Sequence, residues 1–231
     1  MHIPYELILE VLDSDINKCF DCQDRDKIND ILKKYGYSYM TKFEDTMLIF
    51  ACRNGDHKMV QDLLNLGADP NYEGPLITPL FEAVRNNQSD IVDLLINNGV
   101  NINKTSMYSM GQNVLHIACR NNNYQIVYRL CKKGININKL TVEHNTPLHI
   151  AAEDADSKII DCLVENGAKL DIKNDKGETA LFLAARYGTV ENAQKLIRYG
   201  CDLHIKNDKG ISPLMCMNGW VVTTTTTILP K

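Results

Sequence analysis

Four arginines in this chain keep a register that could do chemistry. Arg53, Arg85, Arg120 and Arg186 each stand directly after a pair of small residues: Ala51-Cys52, Ala83-Val84, Ala118-Cys119 and Ala184-Ala185. A fifth pair, Ala151-Ala152, is followed by Glu153 instead. Guanidinium groups brought onto one stripe can each hold a carboxylate through two parallel hydrogen bonds, so the spacing points to an acidic protein segment as ligand. Plain solvated surface arginines would show the same spacing, and sequence leaves both readings open.

Other chemistry finds less support. No G-x-G-x-x-G or Walker loop, no G-x-S-x-G elbow and no H-E-x-x-H helix occurs, and no nucleophile stands at a usable spacing from a base. An enzyme is not expected, nor a cofactor. The eight cysteines lack the dense clustering of a disulfide scaffold and read as reduced thiols of the cytoplasm or nucleus. Cys19 and Cys22 have the C-x-x-C spacing of half a zinc site, but no second pair lies nearby. The formal charge of −4 is spread along the chain, and aromatic residues do not interleave with basic runs, so nucleic acid is not an expected partner. The uncharged stretch 211–230 holds Ser212, Asn218 and the run Thr223–Thr227, too polar for a membrane span. No basic segment followed by an apolar one marks a secretory signal at the N-terminus.

The arginines are positioned by a repeat. Asp45-Thr46-Met47-Leu48, Thr78-Pro79-Leu80-Phe81, Asn113-Val114-Leu115-His116, Thr146-Pro147-Leu148-His149, Thr179-Ala180-Leu181-Phe182 and Ser212-Pro213-Leu214-Met215 recur at steps of 32, 35, 33, 33 and 33. Gly67, Gly99, Gly134, Gly167 and Gly200 keep nearly the same time. A Thr or Ser hydroxyl accepts from an orphan amide of a first turn, and Pro at the next position has no amide to lose, so a helix starts at each landmark. The Leu and the small pair that follow give it an apolar stripe on which neighbouring helices can approach closely. A second helix follows, written Ile91-Val92-Asp93-Leu94-Leu95 or Ile159-Ile160-Asp161-Cys162-Leu163. Each Gly suits the left-handed position that ends it.

These residues resemble the ankyrin repeat, best at Asn145-Thr146-Pro147-Leu148-His149-Ile150-Ala151-Ala152 and at Leu63-Leu64-Asn65-Leu66-Gly67-Ala68-Asp69-Pro70-Asn71. The resemblance implies an all-α solenoid of stacked helix-turn-helix units with hairpin-like fingers, and a non-catalytic role in binding a protein partner. It places five full units over 43–204 and an incomplete sixth over 205–219. Residues 1–42 are expected to form an N-terminal helix and a degenerate capping repeat, and 220–231 an irregular tail, either frayed or the mark of a truncated coding sequence. A monomer is expected.

Within that fold the Arg series lies at the end of the first helices, toward the concave face. His116 and His149 share one slot about 10 Å apart, too far for one zinc, and the resemblance gives them a structural role in ordering loops. The fingers add Tyr72 and the longer link Lys104–Gly111, whose Met107, Tyr108 and Met110 suit a contact surface. Asn71, with Asp69 and Leu63 before it, fits the spacing of asparaginyl hydroxylation in the family, although Pro70 stands where an aliphatic residue is usual. Residues 3–12 are similar to the opening of an F-box, which would make the chain a ubiquitin-ligase substrate receptor; an amphipathic first helix packed on the cap would look the same and is the preferred reading. That start combined with Asn-rich units also resembles ankyrin proteins of giant DNA viruses, which would place the protein in host cytoplasm.

Overall fold

The computed structural model of the protein describes residues 48–65, 67–72, 78–105, 109–217, 220–223 and 227–230. The N-terminal helix, the degenerate cap with Cys19 and Cys22, the F-box-like stretch, Met107 and Tyr108 lie outside the described residues.

Residues 48–54 are helical and lead into α1 (His57–Asn65). Four pairs of helices follow: α2 (Pro79–Arg85) with α3 (Ser89–Asn97), α4 (Val114–Arg120) with α5 (Tyr124–Lys132), α6 (Pro147–Asp154) with α7 (Ser157–Glu165), and α8 (Ala180–Arg186) with α9 (Val190–Arg198). First helices pack on first helices, from α2 through α8 to α10 (Pro213–Cys216), and second helices on second helices from α1 to α9. The result is two helical layers, held by neighbour-to-neighbour contact.

Local chemistry sets the helix starts where the sequence places them. Thr78, Asn113, Thr146 and Thr179 are extended N-caps, and each side chain accepts from the amide three residues on. That bond satisfies one donor the helix itself leaves free. The second helices end at glycines in the left-handed region, with φ of 82° at Gly99 and 99° at Gly167, where a side chain would be strained. Gly188 is required for a different reason: a Cβ there would meet the Ala152 carbonyl oxygen at 2.3 Å.

The core lies between the layers. Leu80, Leu115, Leu148 and Leu181 from the landmarks are buried, as are Leu95, Ile126, Leu130, Ile159 and Leu163 from second helices. Cys52 and Cys119 are buried in the slot of Ala152 and Ala185, and burial pushes both thiols up, away from the reactive thiolate.

The links between units are joined to one another. Each closes on itself through one backbone bond, from Thr141 N–H to Asn145 O, Asn174 N–H to Glu178 O and Asn207 N–H to Ile211 O. Across the tips, Val142 N–H donates to Met110 O at 2.9 Å, Asp175 N–H to Glu143 O at 3.1 Å and Asp208 N–H to Lys176 O at 3.1 Å. The fingers are therefore a bonded row.

At the C-terminal end the structure departs from the expected irregular tail. No second helix follows α10 among the described residues; β1 (Trp220–Thr223) pairs antiparallel with β2 (Thr227–Pro230), Val222 opposite Ile228, and β2 lies beside α9. The β-branched residues of both strands favour this pairing, and their many threonines made the stretch read as low-complexity. No helix of the described residues is long and apolar enough to cross a membrane.

Candidate protein-binding site

The Arg series does not form one cationic stripe. Arg53 Nη2 donates to Glu82 Oε1 at 3.1 Å, and Arg85 Nη1 lies 3.9 Å from the same oxygen. Asn86 Nδ2 donates to the other oxygen at 3.1 Å. Glu82 is 1% exposed, so two of the four guanidiniums serve as counter-charges to a buried carboxylate of the stack. Sequence reasoning missed Glu82, because its burial comes from the neighbouring unit and not from its own helix.

This gives Arg53 and Arg120 different expected behaviour. Replacing Arg53 by Glu removes a partner from a buried acceptor and sets a like charge beside it, which costs about 1–3 kcal/mol or more. Arg120→Gln, on an exposed residue whose hydrogen-bond partner among the described residues is Gln112 Oε1 at 3.3 Å, should change stability by about 0.5 kcal/mol or less. Urea denaturation of both variants, followed by circular dichroism, separates them; equal losses would contradict the role given to Glu82.

Arg186 is occupied differently, its guanidinium 5.9 Å from the Phe182 ring centroid and 5.1 Å from that of Tyr187. Such contacts hold a guanidinium flat on the ring faces.

Arg120 alone of the four lines a groove on the finger side. This groove, of about 860 Å³, runs across the third, fourth and fifth units. Its finger wall comes from Met110, Val142, Glu143 and Lys176, and its helix wall from Arg120, Glu153, Asp154 and Tyr187, over a floor of Ile150 and Leu183. Glu153, the exception in the Arg series, sits in this groove, together with Glu143, Asp154 and Glu178. Four carboxylates thus face two cations, Arg120 and Lys176. The groove is acidic where the Arg spacing predicted a basic surface.

Its apolar rim is exposed: Met110 at 68%, Val142 at 63% and Tyr187 at 59%. Met110 was expected as a contact residue and lines the groove, held at φ 51° before Gly111. Tyr72 is half-buried and does not line it. Val142 and Tyr187 were missed; a bare Val at a finger tip and a Tyr directly after Arg186 were the available signals.

The histidines position one wall. His149 Nδ1 accepts from Thr146 N–H at 3.1 Å, and Nε2 donates to Glu178 O at 3.1 Å, so the imidazole ties the start of α6 to the next finger. His116 repeats this one unit earlier, from Asn113 N–H at 3.2 Å and to Asn145 O at 3.2 Å. Among the described residues no group of three or more His, Cys, Asp or Glu side chains could hold a metal ion.

A family model described as ankyrin repeats (3 copies) matches residues 19–106, 48–141, 105–174 and 148–219. The chain belongs to the ankyrin-repeat family. No curated protein matches it. The matched ranges run from residue 19 to residue 219.

Membership also frames Asn71. In this ankyrin stack Asn71 Nδ2 donates to Gly99 O at 3.1 Å, and Oδ1 accepts from Asn101 N–H at 2.5 Å. Asn103 and Asn138 make the equivalent tie to Asn136 N–H and Lys169 N–H, each at 2.8 Å. Asn71 therefore links consecutive units, and an asparaginyl hydroxylase would have to open that tie to reach it.

Proposed function

We propose that the stack is a non-catalytic module that binds a protein partner through the groove across its third to fifth units and the finger row above it. Ankyrin repeats are in general protein-interaction modules. What carries the location is the rim: Met110, Val142 and Tyr187 expose apolar surface around a concave, polar-lined site, the arrangement in which anchors of a partner gain most from desolvation. The six free thiols of the described residues suit a reducing compartment, cytoplasm or nucleus.

The opposite face supplies the control. Tyr124 and Tyr128 on α5 stack at 6.1 Å with Lys132 5.5 Å from the Tyr128 ring, and both tyrosines are exposed. In proximity labelling from the native cell, Val142→Arg combined with Tyr187→Ala should remove the captured partner without lowering the melting temperature. Tyr128→Ala should leave capture intact. Capture that survives the double variant would overturn the groove as the binding site.

A further inference from the structure

Glu178 sets the chemistry of the groove. It is 6% exposed, yet among the described residues its carboxylate has no hydrogen-bond or ion-pair partner; only its backbone is engaged, by Asn174 and His149. The side chain lines the groove. Among the described residues no side-chain oxygen cut off from solvent lacks a partner, so this unpaired carboxylate opens onto the groove, where an incoming cation can pair with it.

The surroundings point the same way. Glu153 stands where the other units place Arg, and its carboxyl is raised above the ordinary carboxylate range. Burial is the main cause, opposed by Arg120 and Lys176 and reinforced by Glu178 and Glu143. Those four groups are the charges that face it, and the two cations do not offset its burial. Arg120 is in addition engaged by Gln112. The groove therefore carries an excess of carboxylates beside the apolar side chains of Met110, Val142 and Tyr187.

We propose that the groove takes an extended segment of the partner protein carrying a lysine or arginine between apolar residues, the cation seated on Glu178 and Glu153 and the apolar side chains on Val142, Met110 and Tyr187. This rests on the groove being the binding site and adds the chemistry of what enters it. An acidic segment, the ligand that the Arg spacing suggests, is disfavoured: it would face four carboxylates, while Arg53 and Arg85 are held by Glu82.

The test is selection of random peptides displayed on phage against the purified full chain, with binders sorted by whether Val142→Arg plus Tyr187→Ala abolishes them. Groove-dependent binders should be enriched in Lys or Arg flanked by apolar residues. Glu153→Arg should weaken a Lys-bearing binder by at least about tenfold and strengthen the same peptide with Lys replaced by Glu. Glu178→Gln, nearly isosteric, should weaken the Lys peptide with little change in melting. Groove-dependent binders with a neutral or acidic consensus, or affinities that ignore both substitutions, would overturn the cationic ligand while leaving the groove as the site. No groove-dependent binder at all would overturn both. A dimer in sedimentation that Glu153→Arg dissolves would assign the groove to a second copy of the chain and would also overturn the proposal.

Discussion

Leu148→Ala is expected to lower the stability of the stack by about 2–5 kcal/mol, the range for removing a large aliphatic side chain from a core that collapses only partly around the space. Leu148 is 1% exposed on α6, which packs between α4 and α8 and against its own partner α7. A cavity there weakens the interfaces to both neighbouring units, and in a one-dimensional stack those interfaces hold the units together. Leu214 holds the same landmark position in the sixth unit, but it is 37% exposed, on a four-residue helix whose N-cap Ser212 makes no side-chain bond. Leu214→Ala should cost well under half as much. Guanidinium denaturation monitored by helical circular dichroism measures both, and the central variant should also broaden or split the transition as the two halves of the stack uncouple. Equal losses would contradict the load placed on the central unit.

What sequence revealed and what it hid divides by the range of the physics. Caps at Thr78, Thr146 and Thr179 and the glycines that end second helices are chemistry within four residues, so the motif predicts the geometry. The buried landmark leucines follow from the same helical stripe. Glu82 could not be read that way: it stands between Phe81 and Ala83 like any surface glutamate, and it is buried because Arg53, 29 residues upstream, closes over it. That single contact turns half of the Arg series from a candidate binding surface into internal charge compensation. The sign of the groove is hidden for the same reason, since Glu178 belongs to the unit after Glu143 and Glu153 and meets them only after stacking. Glu153 was the legible clue, as the one break in a register of arginines. The tail was misread from composition, where the consecutive β-branched residues Val221–Thr223 and Thr227-Ile228 mattered more than the low complexity of the threonine run.

Acid should unfold the stack through its two buried histidines. His116 is fully buried and His149 nearly so, and in both Nδ1 accepts a backbone N–H while Nε2 donates to a carbonyl of the next unit. A proton added at Nδ1 would displace that backbone N–H and turn to Asn113 Oδ1 in His116 or Thr146 Oγ1 in His149, each at 2.7 Å, the same oxygens that cap the helix starts. Burial is the main cause that lowers His116 to about 4 and lowers His149 as well, against backbone carbonyls that favour the charged ring. A free histidine in the unfolded chain takes its proton near about 6.5. Between that value and about 4 the unfolded state of His116 binds more protons than the folded one, so stability falls as pH falls across this window. The contribution is complete above about 6.5 and amounts to about 3 kcal/mol when fully lost, of which about 2 kcal/mol is gone by about pH 5. The measurement is the urea midpoint between about pH 7.5 and 5 for the wild type, for His116→Gln and for His116→Gln with His149→Gln. Each substitution should lower stability at neutral pH by loss of its inter-unit bond and flatten the dependence on pH. A slope that survives the double substitution would assign acid sensitivity to the carboxylates and remove the buried imidazoles from it.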